Sequence, residues 1–383
     1  MNLTIDRSEL IRGLSHVTSV VEKRTTIPIL SNILLRATGA GGLTLRATDL
    51  DREVEEGVRA DVSTPGAVTV PAHTLYDIAR KLPDGAQISI TYDASTDDGR
   101  AGRVVFKAGK SRFTLATIVA SDFPDLSPGD LTHRFELQAA DLKRLIERTR
   151  FAVSTEETRY YLTGIYLHPA KVDNAAGGAP TLRTVATDGH RLAQAEMPLP
   201  AGAEGMPGVI LPRKTVHEVV RLLEVPDTAV SIAVSEAKIR FEVGTVTLTS
   251  KLIDGTFPDY QRVVPKGNDK ILKVKTAPLA AAVDRVNTIA SERGAAVKIE
   301  LSDGRMVLSS KGGEGAGSAS DEVEADYSAG NLEIGFNAKY LLDILSQGEG
   351  EALEMRLADP GSPMVVHDPA RAGAMYVLMP MRV

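Results

Sequence analysis

Residues 182–195, LRTVATDGHRLAQA, decide how the chain is read. Apolar and polar side chains alternate on both sides of Asp188-Gly189. That is the pattern of two strands joined by a tight turn, because Gly takes positive φ freely and Asp tolerates it. The spacing predicts a hairpin whose second strand carries His190, Arg191 and Leu192. Residues 43–58, LTLRATDLDREVEEGV, repeat the arrangement: strand, Ala-Thr-Asp, a two-residue break, strand. A pattern stated twice points to a chain built of repeats.

Three segments open alike, each a short strand followed by an amphipathic helix: LTIDRSELIRGLSHVTSVV from Leu3, RFELQAADLKRLIERTRFAVS from Arg134 and ILKVKTAPLAAAVDRVNTIAS from Ile271. In the second, Leu142, Leu145, Ile146 and Thr149 form one stripe at helical spacing. A second helix recurs after VTVP, VILP and IGFN (from Val68, Val209 and Ile334), with Pro or Asn near its start. Each repeat closes in a strand: residues 112–126, 246–260 and MYVLMPMRV from Met375. The first two end in Phe-Pro-Asp, an extended connector. Three α+β domains with antiparallel sheets, 1–126, 133–260 and 262–383, account for the length of 383 residues. The Gly/Ala/Ser-rich stretches 173–180 and 312–321 read as loops.

The apolar fraction of 43% and charged fraction of 25% are those of a folded globular chain. The absence of Cys excludes disulfides, thiolate metal sites and cysteine nucleophiles. No stretch has the length of a signal peptide core or a membrane span, so the expected location is cytoplasmic. The net charge of -6 is unevenly distributed. Helix windows 7–24, 71–82, 139–153, 212–224, 277–293 and 337–347 hold 16 basic and 10 acidic residues; the remainder holds 28 and 40. Cationic helices beside an acidic remainder fit a protein whose helices face a polyanion. The helices of the last repeat are neutral, so the excess comes from the first two.

Catalytic signatures are missing. The seven His show no metal-binding spacing. Residues 108–111, AGKS, lack the upstream Gly of a phosphate loop and sit between strands. The best acid–base pair, Asp188 with His190, has no nucleophile nearby, and the turn-holding reading is the stronger one. No cofactor is expected.

With the repeats placed, the chain resembles the bacterial sliding clamps, the β subunits of DNA polymerase III, over essentially its whole length. The residues that carry the resemblance are Pro28-Ile29-Leu30, Arg159-Tyr160-Tyr161-Leu162, TVATDGHRLA (184–193), SKLIDGTFPDY (250–260), GFNAKYLLDIL (335–345) and the terminal MPMRV. The resemblance implies three clamp domains per chain. Two chains join head to tail as a homodimeric ring, with helices lining the hole and sheets outside. It implies a non-catalytic processivity factor that holds double-stranded DNA topologically, without regard to sequence. Its partners would be the DNA polymerase III catalytic subunit, the clamp loader, and other polymerases and repair proteins carrying a short hydrophobic peptide, with no membrane involved.

Carried over residue by residue, the resemblance implies DNA contacts at Arg24, Arg80, Tyr160, Tyr161, Arg213, Lys214 and Arg262. It implies a dimer interface at Lys110, Arg112, Phe113, Leu115 and Ile289. A peptide pocket is implied at Leu162, Thr187, Gly189, His190, Arg191, Leu192, Pro258, Val263, Asn337, Tyr340, Val377, Leu378, Met379, Pro380, Met381 and Arg382. Leu192, Val263, Val377 and Met379 are expected as its apolar floor; Arg191 and Asn337 are expected to fix the peptide's polar groups. Gly294 and Pro363 depart from the family pattern at the rim. The residues alone leave two other readings in place: a monomeric three-repeat peptide-binding scaffold that does not encircle DNA, and a hydrolase using Asp188 and His190.

Overall fold

The computed structural model describes residues 1–39, 42–92, 102–126, 129–171, 179–290, 296–313 and 317–382. Gly294 and Val383 lie outside the described residues, as do 173–178 and 314–316 of the two expected loops. The second loop is shorter than expected, because the strand Ser318–Asp326 starts inside it and buries Val323 and Ala325.

Six α-helices are present among the described residues: α1 (Arg7–Val17), α2 (Ala72–Lys81), α3 (Ala139–Arg150), α4 (Arg213–Leu222), α5 (Thr276–Asn287) and α6 (Ala338–Leu345). Every one follows a strand with no intervening loop. The first helix of each repeat is shorter than its sequence window. After Val17 the chain tightens into a 3-10 turn, Thr18–Val20, where the Thr18 hydroxyl donates to the Leu14 carbonyl at 2.6 Å. The Asp6 carboxylate caps α1 by accepting from Ser8 N at 2.8 Å. The expected Pro of the second helices stands one position earlier, at the junction: Pro71 and Pro212 each end a strand, and the helix starts at the next residue.

The chain forms two compact units. Residues 1–143, 200–207 and 214–252 carry a five-stranded and an eight-stranded sheet; residues 144–199, 208–213 and 253–383 carry a twelve-stranded ladder. All strand pairs are antiparallel, as the alternating pattern required. A pairing rule repeats within each unit. The strand Val246–Lys251, closing the middle repeat, pairs with Arg52–Arg59, and Ala374–Leu378, closing the last, pairs with Arg191–Pro198. Two edges remain. Ser111–Ala116, which closes the first repeat, ends its sheet. Ser318–Asp326 has Arg305–Lys311 on one side and meets Lys270–Lys275 only through its last two residues.

The hairpin at 182–195 forms with Thr187 opposite Leu192, but it is not a two-residue turn. The Asp188 carboxylate accepts from the N–H groups of both His190 and Arg191 at 3.0 Å. His190 is thereby held in the loop, and the second strand starts at Arg191. Thr187 Oγ1 donates to the Arg191 carbonyl (2.7 Å) and accepts from Gly189 N (3.1 Å). The echo repeats each bond. Asp49 accepts from Asp51 N and Arg52 N at 3.0 and 2.7 Å, and Thr48 Oγ1 binds the Arg52 carbonyl and Leu50 N at 2.7 and 3.0 Å. The repeated unit is therefore Thr-Asp-x-x-Arg, and its third residue takes positive φ: 90° at Gly189 and 76° at Leu50.

A Cβ on Gly189 would stand 2.7 Å from Arg159 Nη1 as well as in a strained region. Gly189→Ala should therefore lower unfolding free energy by about 1–2 kcal/mol, read from the midpoint of urea denaturation. Leu50→Gly, which relieves the same strain, should not lower it.

Candidate functional site

Arg191 is 8% exposed, and each of its three guanidinium nitrogens donates within the chain. Nε donates to Asp188 at 3.1 Å, Nη1 to Asp343 on α6, and Nη2 to the Phe151 carbonyl just after α3 at 2.6 Å. Its flat faces meet the rings of Phe151 and Tyr340, 5.1 and 4.4 Å from the guanidinium carbon. The expectation that Arg191 fixes a peptide's polar groups gives way to a different role: it binds the hairpin turn to α6 and to the end of α3. Asn337 is likewise committed, its side-chain oxygen capping α6 by accepting from Tyr340 N at 3.1 Å.

The C-terminal segment is laid across this frame. The strand stops at Leu378, earlier than the sequence implied, because the next residues bond elsewhere. Met379 N donates to the His190 carbonyl at 2.9 Å and Met381 N to the Gly335 carbonyl at 2.8 Å. Pro380 between them has no N–H to satisfy. The His190 ring stacks on Tyr340, with centroids 6.0 Å apart and planes at 22°.

Between these walls lies an apolar cluster in which Leu162, Leu192 and Val377 pack with Val185, Ile210, Phe257 and Tyr260. Leu192 and Val377 face each other across the strand pair. Both are buried and form an apolar floor, whereas Val263 (54% exposed), Met379 (41%) and Pro258 are exposed. Leu378 alternates to the other face of its strand and is fully buried, so it contributes no side chain here. Pro380 and Met381 are half-buried and Arg382 is exposed. The structure thus packs Leu162, Leu192 and Val377 of the expected peptide site into one cluster and bonds Met379 and Met381 to His190 and Gly335.

Tyr260 ties this floor to a polar network. Its hydroxyl accepts from Arg183 Nη1 at 3.0 Å and lies 3.1 Å from His168 Nε2. His168 Nδ1 is 2.9 Å from the Pro169 carbonyl, which fixes the proton on Nδ1 and leaves Nε2 to accept from Tyr260. Burial, then the Arg183 charge, pushes the His168 pKa down, favouring this neutral form. Burial alone would lower the Arg183 pKa, but hydrogen bonds and charge from Tyr260 and Glu196 outweigh it and raise it.

Of the residues expected at DNA, Arg24, Arg80, Tyr160, Arg213, Lys214 and Arg262 are exposed and Tyr161 is half-buried. The two tyrosine rings pack edge to face, 5.6 Å apart. Lys214 pairs with Glu22 at 2.8 Å and Arg262 with Asp259 at 2.8 Å. Exposed pairs of this kind are weak and exchange readily for phosphate. Arg148, counted among the helical cations, is 8% exposed and faces Glu349, so the count overstates the available charge. Phe113 and Leu115 lie half-buried on one face of the edge strand, Lys110 and Arg112 are exposed, and Ile289 is half-buried in the turn after α5.

Gly109 and Lys110 make a hairpin turn, not a phosphate loop. The Asp188 carboxylate is engaged by its own turn, and no cluster of potential metal ligands exists among the described residues. No described helix is long and apolar enough to cross a membrane. Sequence reasoning missed Asp343, Phe151 and Gly335. Only Asp343 had a signal: a buried Arg beside a turn needs a second carboxylate.

A histidine held neutral by burial stabilises the fold above its unfolded pKa, because the unfolded chain binds the proton more readily. Stability should therefore fall as pH drops below about 6.5. His168→Asn should flatten that fall, measured as urea-unfolding free energy between about pH 7 and about pH 5.

Comparison with known proteins agrees along the entire chain. Models of the DNA polymerase III beta subunit match at residues 1–127 (N-terminal domain), 136–259 (central domain) and 261–382 (C-terminal domain). The beta sliding clamp of Caulobacter vibrioides is 53% identical over 383 residues and that of Escherichia coli K12 37% over 385, with 100% of both chains covered in each case. A crystal structure of the Caulobacter crescentus clamp superposes with a TM-score of 0.95 at 52% identity, covering 100% of this chain and 99% of that one. The Bartonella birtlesii clamp, solved with griselimycin bound, gives 0.93 at 48%, with both chains fully covered. The chain belongs to the DNA polymerase III beta subunit family, the beta sliding clamps.

Proposed function

We propose that two copies of this chain, each of three domains (1–126, 133–260 and 262–383), close head to tail into a ring around duplex DNA in the cytoplasm. The cleft over Leu162, Leu192 and Val377 then tethers the DNA polymerase III catalytic subunit, the clamp loader, and other polymerases and repair proteins through a short hydrophobic peptide. The protein does no chemistry. Its contribution is effective concentration, since a tethered polymerase rebinds its template instead of diffusing away.

The observation that carries the ring is the pair of edges left over by the repeat. Inside the chain, a closing strand twice pairs with the strand that follows the Thr-Asp-x-x-Arg turn. Ser111–Ala116 lacks such a partner, and Ser318–Asp326, the corresponding strand of the last repeat, offers one. Joining them between two copies makes a heterologous contact, and two such contacts close. Charge favours the match: Lys110 and Arg112 lie on one edge, Asp321, Glu322 and Glu324 on the other. Phe113, Leu115 and Ile289 supply the apolar part. Arg24, Arg80, Arg213, Lys214 and Arg262 hold the phosphate backbone without reading bases, and Tyr160 and Tyr161 stack on an unpaired base.

Phe113→Ala with Ile289→Ala should yield folded monomers by sedimentation at sub-micromolar concentration and abolish salt-resistant retention on nicked circular DNA after loading. A dimer that persists would refute the interface. Deleting Met379 to Val383 should leave dimer and retention intact while removing polymerase peptide binding, which in the full chain has a Kd on the order of micromolar. Processive synthesis by the truncated protein would place the cleft elsewhere.

A further inference from the structure

A second cavity, of about 740 Å³, shares only Tyr260 and Val264 with the apolar floor of the cleft and its packing, and none of the residues expected at DNA or the dimer. It is bounded by the strands Pro180–Thr187, Arg191–Pro198, Ala352–Leu357, Met364–His367 and Ala374–Leu378, and by Tyr260, Gln261 and residues 264–268. Its size suits a small molecule, since ligand sites span about 300–1,000 Å³.

Its lining is mixed. Val264, Pro265, Val365 and Met375 are apolar. Among them are three cations, Arg183, Lys266 and Arg356, against one lining carboxylate, Glu196, and Arg356 stands directly across its strand pair from Val365. That carboxylate is already paired with Arg183, accepting from Nε at 2.9 Å and meeting Nη2 at 2.8 Å. Arg356 leans on Glu354, outside the lining, at 2.8 Å. Lys266 is exposed, with no acidic partner among the described residues. Burial, then the Arg356 charge, pushes the His367 pKa down, so this ring adds no charge at neutral pH.

The cavity is built without an occupant. Asn268 Nδ2 donates to the carbonyls of Arg356 and Pro363 at 2.8 and 2.9 Å, pinning the covering segment. Gly373, at φ 90°, approaches so closely that a Cβ would stand 2.6 Å from the Glu196 carbonyl, and Glu196 N donates to Gly373 O at 2.7 Å. Pre-set walls keep the ordering cost of binding low. An excess of positive charge beside apolar side chains selects a molecule with one charged end.

We propose that this cavity binds a small organic oxyanion, a phosphate or carboxylate head on a compact body, through Arg356 and Lys266 over the Arg183–Glu196 floor. The test is methyl NMR on the full-length protein labelled at methionine. Met375 lines the cavity and is assigned by Met375→Leu; Met379 and Met381 report on the separate cleft. Inorganic phosphate, adenosine 5′-monophosphate, succinate and uncharged adenosine are titrated at constant ionic strength. The Met375 methyl should shift saturably with at least one anion, with a Kd below about 1 mM. Saturation by either phosphate compound assigns a phosphate head, and saturation by succinate a carboxylate. Lys266→Ala with Arg356→Ala should weaken binding at least about tenfold while leaving the other methionine signals in place. The proposal falls if no anion saturates Met375 up to about 10 mM, if adenosine acts equally well, or if the double variant binds undiminished.

Discussion

A charge taken out of water has to be paired, and the Arg191 guanidinium is the charge around which the C-terminal half is arranged. Removing one partner of such a buried group typically costs about 3–5 kcal/mol, so its contacts hold their elements in register. Asp188 fixes the turn, Asp343 fixes α6 and the Phe151 carbonyl fixes the end of α3. Tyr340 is held by the same cation, and His190 stacks on Tyr340 while its carbonyl receives Met379 N. The C-terminal segment thus has a place to lie only because the arginine has already gathered the elements beneath it. In the proposed cleft, the exposed Met379 beside a buried floor suits several related peptides, since methionine adapts its shape while the floor does not.

The twin turn at Thr48–Arg52 separates scaffold from function. Both copies make the same side-chain bonds, so the Thr-Asp-x-x-Arg unit is first a way to restart a strand after a sharp reversal. What differs is the environment. Gly189 leaves space that Arg159 occupies, whereas Leu50 fills the equivalent place with an exposed apolar side chain. Beside the first turn, Lys251 pairs with Asp51; beside the second, Met379 bonds to the His190 carbonyl. One turn is therefore closed by an ion pair and the other is bordered by an adaptable apolar side chain.

Much of this was legible in the sequence for identifiable reasons. All six helices were, because their apolar stripes repeat and each starts directly at a strand end. Helix lengths were overestimated where β-branched residues such as Thr18 and Val20 continue an apolar pattern that the backbone leaves for a tighter turn. The hairpin was legible but its loop was not, since Asp-Gly announces a reversal without stating that Asp188 will hold two further N–H groups. Arg191 was expected to fix a peptide's polar groups, and the structure shows its guanidinium bonded to Asp188, Asp343 and Phe151. Its partners Asp343 and Phe151 lie 152 and 40 residues away, and only the fold reveals that they bind it. Leu378 alternates to the buried face of its strand, which the sequence pattern alone does not show.

The unpaired edges turn the same repetition into an assembly instruction. An exposed strand edge is ordinarily a hazard, and proteins blunt it with charge or cover. Here the edge Ser111–Ala116 carries Arg112 beside Lys110, while the edge 318–324 carries acidic residues partly held by Arg285 and Arg305. In the proposed ring, each edge therefore repels a copy of itself and suits the other. Like-with-like pairing, which would give a closed pair joined at only one contact, is disfavoured, and alternating pairing is favoured. Once two copies meet in that sense both of these edges are covered, so assembly ends at closure. A closed ring is held on DNA by topology, which is why the helical cations need only be sparse and partly neutralised: tight phosphate binding would stop the sliding that the architecture makes possible.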